Sequence, residues 1–218
     1  MYKTEDLFDL EHTLAKEYLS NFTYPWEALD GIKELIINIG SNLGDDYNEI
    51  SPQVWVHKSA IVAPTAFLGS PCIIGKECEV RHCAFIRGAA LVGDKCVVGN
   101  SVELKNVILF DSVQTPHYNY VGDSILGYKA HMGAGSITSN VKSDKSLVII
   151  NDGNNKIETK RKKVGAMLGD YVEIGCNSVL NPGTVIGRNS NVYPTSCVRG
   201  VILENSIFKN SGVIVRKV

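Results

Sequence analysis

The sequence predicts an all-β solenoid, a parallel β-helix of hexapeptide repeats with a short N-terminal α-helical cap. Three observations carry this expectation. From Val56 to Phe110 every sixth residue is apolar: Val56, Val62, Leu68, Ile74, Val80, Ile86, Val92, Val98, Leu104 and Phe110. A second series in the same rhythm runs Leu168, Ile174, Leu180, Ile186, Val192 and Val198. A second slot, four residues after each apolar position, takes small side chains such as Ala60, Ala66, Cys72, Cys78, Ala84, Ala90 and Cys96. A period of six fits neither an α-helix nor an alternating strand. It marks a stack of short coils, each supported by its neighbours.

Residues 1–50 lie outside the rhythm and form the expected helical cap. Thr4 is placed to cap a helix carrying Leu7, Leu10, Leu14 and Tyr18 on one side. Pro25 suits the first turn of a second helix, with Trp26, Leu29, Ile32, Leu35 and Ile36 as its apolar side. Gly40 or Gly44 would end it. The two helices are expected to cover the end of the solenoid, because an exposed terminal coil needs protection.

Residues 51–200 are the expected β-helix. Three hexapeptides make one triangular turn of about 18 residues, and neighbouring turns pair about 4.8 Å apart as parallel strands. The rhythm breaks after Phe110, where Pro116 takes the next place, and resumes at Leu126, Met132 and Thr138. Residues 141–163, rich in Lys, Asn and Asp, make a second break. Both breaks read as loops, and loops carry function. Residues 201–218 read as a strand tail outside the regular coil.

The bulk composition narrows the function. The chain has 218 residues and a formal charge of −1. That balance argues against nucleic acid or a membrane surface as an electrostatic partner. No apolar run would span a bilayer, and the acidic start is unlike a signal peptide, so a cytoplasmic protein is expected. Cys72, Cys78 and Cys96 fall in the small slot and read as buried thiols rather than disulfide partners. There is no CxxC pair. The five histidines, His12, His57, His82, His117 and His131, include no His-x4-His pair. No metal is expected.

The candidate chemistry follows from the same counting. Arg87 and Lys105 each follow a repeat residue and are 18 positions apart, so they should stack on adjacent coils. At ~5 Å and an effective dielectric of ~20 their repulsion is about 3 kcal/mol. Glu103 offsets part of it, and a phosphate would offset more. The other reading is two solvated cations. His117 sits in the first break, in Thr115-Pro116-His117-Tyr118-Asn119-Tyr120, and is a candidate general base. Asn140 opens the second break, either to bond a ligand or to make a turn. Gly133-Ala134-Gly135 either offers backbone N–H groups to an oxyanion or turns a corner. Lys160-Arg161-Lys162-Lys163 either touches a cofactor phosphate or is a solvated charge run.

The stretch VGNSVELKNVILFDSVQTPHYNYVGDSILGYKAHMGAGSITSN, Val98 to Asn140, resembles the acetyltransferase domain of the bifunctional N-acetylglucosamine-1-phosphate uridylyltransferase/glucosamine-1-phosphate acetyltransferases. It is closer still to the C-terminal domains of archaeal-type sugar-1-phosphate nucleotidylyltransferases. KKVGAMLGDYVEIGCNSVLNPGTVIG, Lys162 to Gly187, echoes the same pattern. The resemblance implies a left-handed coil, a homotrimer with sites between subunits, and acetyl-CoA as co-substrate. It implies that His117 is the base, that Arg87, Lys105 and Tyr120 bind phosphate, and that Asn140 lies in the active site. It further implies that the Ala134 N–H serves the oxyanion and that Cys176 and Pro194 sit in the acetyl-CoA site. His131 replaces a sugar-contacting Asn, Val141 replaces a loop Tyr, and the loop Lys falls on Ser146. These departures bear on which amino sugar fits. No Gly-rich nucleotide loop occurs in residues 1–50, so uridylyl transfer is not expected. The expected function is N-acetylation of glucosamine-1-phosphate or galactosamine-1-phosphate. The alternative is a non-catalytic trimeric scaffold or sugar-nucleotide-binding module.

Overall fold

A computed structural model describes residues 1–153, 155–209 and 212–217. The fold is a left-handed parallel β-helix. Each coil contributes one short strand to each of three faces. The first face stacks Val54–His57, Cys72–Ile74, Ala90–Val92 and the later halves of Glu103–Leu109 and Tyr120–Leu126. The second face is a nine-stranded sheet that includes Glu79–Val80, Val97–Asn100, Gln114–His117, His131–Met132 and Glu173–Ile174. The third stacks Phe67–Leu68, Phe85–Ile86, the first residues of Glu103–Leu109 and Tyr120–Leu126, and Ile137–Thr138. Glu103–Leu109 and Tyr120–Leu126 turn the corner between the third and first faces and so join them into one 14-stranded sheet.

The sixfold rhythm is the inward column of this stack. Ile74, Ile86, Val92, Val98 and Leu104 are fully buried, and Val80 very nearly so. Each such side chain contributes roughly 1.5–3 kcal/mol by leaving water. The small slot lines the corners: Cys72, Cys78 and Cys96 are buried and free. Corner residues at six-residue intervals, Cys83, Ala89, Lys95 and Ser101, hold φ between 50° and 60° without being glycine. The stacking of coils above and below over-determines that backbone.

The first break is not a loop. Gln114–His117 is an ordinary strand of the second face, paired with Val97–Asn100 and His131–Met132. The coil here is one residue short: Leu104 pairs Val121 and Val98 pairs Thr115, steps of 17 rather than 18. The inward place therefore falls on Thr115, which is fully buried with its hydroxyl donated to the Val97 carbonyl at 3.2 Å. A pattern of apolar residues does not register a threonine in that role. The second break is a true excursion. Ile137 pairs Val179, a step of 42 residues, and the extra chain folds into an antiparallel hairpin of Ile149–Asn151 with Lys156–Glu158.

The N-terminal helical segment covers a flank of the solenoid, not its end. It is also more broken than the spacing predicts: Thr4–Leu7, a 3-10 turn Leu10–His12, Lys16–Leu19, a 3-10 stretch Pro25–Gly31 and Ile32–Gly40. Thr4 does not cap it. The Thr4 hydroxyl donates to the Phe22 carbonyl at 2.9 Å, and Lys3 occupies the capping place. The segment runs down the first face against the order of the coils. Tyr2 accepts from the Glu204 N–H at 2.6 Å, Asp170 accepts from the Asp9 N–H at 2.7 Å, and His12 accepts from the Asp111 N–H at 3.0 Å. At its far end the Trp55 ring lies against Gly40, where a Cβ would stand 2.2 Å from ring carbons. The edge of the first coil is covered instead by Tyr47–Ser51, antiparallel to Val54–His57.

At the other end the parallel ladder continues past residue 200. Val201–Ile202 and Ser206–Phe208 pair in register with the coil before them. The final strand, Ile214–Arg216, turns back antiparallel and covers that edge. No helix among the described residues is long and apolar enough to cross a membrane.

Candidate active site

The register puts Leu104 beside Ile86, so Lys105 and Arg87 leave the third face on adjacent coils, as the 18-residue count predicts. Each cation has an acidic partner. Arg87 Nη1 lies 2.8 Å from Glu103 Oε1, and this bond raises the guanidinium pKa above its usual value. Lys105 Nζ lies 3.1 and 3.3 Å from the two carboxylate oxygens of Asp123. The repulsion between the cations is thus offset within the chain. Donors remain for a ligand: Arg87 has five N–H groups and Lys105 three.

Asp123 is the residue that sequence reasoning missed. Its side chain is 3% exposed. Besides Lys105 it accepts from Asn106 Nδ2 at 2.9 Å and from Asn140 Nδ2 at 2.5 Å. Asn140 also donates to the Tyr120 hydroxyl at 3.2 Å. That oxygen is therefore an acceptor here, and its own proton has no acceptor among the described residues. Burial, with the Asp123 carboxylate beside it, raises the Tyr120 phenol above its usual value. A count of 18 does not mark Asp123 as the neighbour of Lys105, because the coil here steps by 17 and Gly122 is the residue paired with Lys105. Lys105, Asn106, Asn140 and Tyr120 form one hydrogen-bonded cluster around Asp123, and the Arg87–Glu103 pair lies near enough to act on Tyr120 through its charges.

His117 ends its strand at the corner between the second and third faces. Its side chain is exposed and has no hydrogen-bond partner among the described residues. Its backbone is tightly held. The His117 carbonyl accepts from the Gly135 N–H at 3.0 Å, and Asn119 Oδ1 accepts from the His117 N–H at 3.2 Å. Asn119 is buried, and its amide donates to the Gly133 carbonyl at 2.8 Å and to Ser136 at 3.1 Å. It fastens the His117 corner to the Gly133–Ser136 turn on the next coil.

In that turn the glycines serve the corner. A Cβ on Gly133 would stand 2.7 Å from the Cys176 nitrogen, and Gly135 has φ 71°. Gly133 and Gly135 both spend their N–H groups on neighbouring coils. The Ala134 N–H has no acceptor among the described residues.

Cys176 and Pro194 line a groove of about 530 Å³ on the second face, together with Gly133, Ile174, Val192 and Tyr193. Its walls are mainly carbon, which suits an extended thioester arm better than a charged group. His131 lines the same groove, its Nδ1 2.8 Å from Glu173 Oε2. Among the described residues it makes no contact with the Lys105 cluster. Within one chain the candidate residues thus occupy two neighbouring faces, with His117 and Ala134 between them.

No family model matches the chain. It is 29% identical over 196 residues to a bifunctional sugar-1-phosphate nucleotidylyltransferase/acetyltransferase of Sulfurisphaera tokodaii, covering 88% of this chain and 49% of that protein. It is 30% identical over 204 residues to the bifunctional protein GlmU of Methanocaldococcus jannaschii, covering 92% of this chain and 50% of that one. The chain spans about half the length of the curated relatives it matches. Among solved structures, PerB from Caulobacter crescentus in complex with CoA and GDP-perosamine aligns with a TM-score of 0.40 at 17% identity, over 73% of this chain and 56% of that one.

Proposed function

We propose that the protein is an N-acetyltransferase that moves the acetyl group of acetyl-CoA to the amine of an amino-sugar 1-phosphate, glucosamine-1-phosphate or galactosamine-1-phosphate. One observation carries the reading: the hydrogen bond from the Gly135 N–H to the His117 carbonyl, 3.0 Å. It sets an imidazole with no hydrogen-bond partner among the described residues beside a turn whose Ala134 N–H likewise has none among them. A base and an oxyanion donor at fixed spacing are what acyl transfer to an amine needs. The similarity to a bifunctional sugar-1-phosphate nucleotidylyltransferase/acetyltransferase supports the same chemistry.

In this reading His117 accepts the proton lost as the amine nitrogen bonds the thioester carbonyl. Ala134 N–H donates to the carbonyl oxygen as it gains charge. The C–S bond then breaks, the His117 imidazolium gives its proton to the sulfur, and CoA leaves as its thiol. Arg87, Lys105 and Tyr120 hold the sugar phosphate with the donors left over from Glu103, Asp123 and Asn140, which fixes the amine's approach. The groove of Cys176 and Pro194 takes the thioester arm, with His131 beside the sugar. A closed homotrimer belongs to the same proposal. Phe67 and Phe85, 58% and 43% exposed, lie with tilted rings 5.6 Å apart on the outer side of the third face and would be covered in it.

The test is release of free CoA thiol when the protein meets acetyl-CoA with either sugar phosphate. Release with one of them supports the reading. No release with either, alongside binding of a sugar phosphate or nucleotide, would instead identify a non-catalytic module.

A further inference from the structure

We propose that Lys105 and the segment Lys160–Lys163 form a binding pocket for a diphosphate group. The basic run does not hang in solvent. Its backbone is pinned by Thr159, whose buried hydroxyl donates to the Val148 carbonyl at 2.7 Å and accepts from the Arg161 N–H at 3.2 Å. The Val148 N–H donates to the Arg161 carbonyl at 2.8 Å, and the Val164 N–H to the Asn140 carbonyl at 3.0 Å. Arg161 is ion-paired to Asp30 of the N-terminal segment. These ties set the run beside Lys105 and Asp123, along an open concavity of about 480 Å³.

The charges in this concavity do not balance. Its two carboxylates are already taken, Asp30 by Arg161 and Asp123 by Lys105. Lys160, Lys162 and Lys163 have no acidic partner among the described residues and face the same space. These three exposed lysines leave the concavity with an excess of positive charge that an anion would offset. A single sugar phosphate already has Arg87, Lys105 and Tyr120. Further cations next to that cluster call for further negative charge, and a phosphoanhydride supplies two to three charges within a few ångströms. The space suits a small anion; a nucleic-acid strand would need a charged track and stacking rings, and the chain as a whole carries a charge of −1. The diphosphate belongs either to a nucleotide-linked form of the sugar or to the ADP portion of CoA.

Binding is read without turnover, so this proposal and the acetyl-transfer reading fail separately. The intact protein is titrated calorimetrically with inorganic pyrophosphate at low salt. Wild type is compared with Lys162→Ala/Lys163→Ala, Lys160→Ala and the control Lys58→Ala, an exposed lysine on the first coil. Saturable binding is expected, weakened roughly tenfold per pocket lysine removed and unchanged in the control. Displacement of pyrophosphate by uridine diphosphate assigns the pocket to the sugar substrate; displacement by CoA assigns it to the cofactor. Absence of saturable binding, equal affinity in all four proteins, displacement by neither compound, or orthophosphate binding as tightly as pyrophosphate each overturns the proposal.

Discussion

Lys105 Nζ lies 3.1 Å from Asp123 Oδ1, with the carboxylate almost sealed from water and the ammonium 29% exposed. The pair turns a bare cation into an oriented one. Asp123 holds Lys105, Asn106 and Asn140 at once, so a single buried side chain fixes three donors around the proposed phosphate site. Asp123→Asn keeps the volume and removes the charge. It should cost about 2–4 kcal/mol of folding stability, less than a fully buried pair because Lys105 still reaches water. A Lys105→Ala/Asp123→Asn double variant should lose less than the two single losses added together. Urea denaturation of the four proteins measures this; strict additivity would mean the two groups do not interact.

His117→Ala removes a side chain that holds nothing else in place, since only the His117 backbone is bonded to its neighbours. Thiol release should fall by roughly 10²–10⁴-fold. The circular dichroism spectrum and unfolding midpoint should stay at wild-type values. Unchanged turnover would dismiss His117 as the base and direct attention to the His131–Glu173 pair.

The Tyr120 phenol is held above its usual 10.0 by burial and then by Asp123. A raised native value makes its contribution to stability complete below pH 10 and lost as the pH climbs through the raised value. Tyr120→Phe should therefore leave the acid and neutral parts of the pH–rate profile in place while raising KM for the sugar phosphate. Above pH 10 the variant should lose less stability than wild type. Parallel loss in both proteins, followed by unfolding midpoints at pH 8 and near 11, would remove Tyr120 from this account.

Of the six cysteines, Cys83, Cys176 and Cys197 are exposed, while Cys72, Cys78 and Cys96 are buried. Burial pushes the Cys72 thiol up to about 12 and also raises Cys96. The thiolate is the reactive form. A thiol reagent should label three cysteines promptly and the rest only on unfolding. Saturating acetyl-CoA should slow labelling of Cys176 and leave Cys83 at its original rate. Mass spectrometry of labelled peptides reads both effects, and equal rates at Cys176 with and without acetyl-CoA would count against the groove as the thioester site.

Much of the site was legible as arithmetic. A step of 18 stacks Arg87 on Lys105, and the register of Leu104 with Ile86 matches it. The same step does not identify Asp123, because the next coil is one residue short and pairs Lys105 with Gly122, so Asp123 meets Lys105 only through its side chain. The break at Phe110 looked like a loop because the inward place passes to Thr115, whose polarity is cancelled by a hydrogen bond that only the neighbouring coil supplies. Asn119 was passed over for a similar reason: its partners Gly133 and Ser136 lie on the next coil.

The sequence by itself determined the solenoid, because a strict period of six leaves one way to bury every sixth side chain. It also determined which residues share a column. The tertiary structure decided where the irregular parts go. The first 46 residues lie along a flank because a face of Ile73, Leu91, Ile108 and Ile125 needs cover along its length, and their local pattern carries no information about which surface that is. The basic run at 160–163 lies beside Lys105 because Arg161 reaches Asp30 of the N-terminal segment and Val164 reaches Asn140, while Thr159 ties the run to its own hairpin at Val148. Periodicity is a local property and can be read locally. The pairing of charges across a loop and a coil depends on long-range contacts, and only the folded chain brings them together.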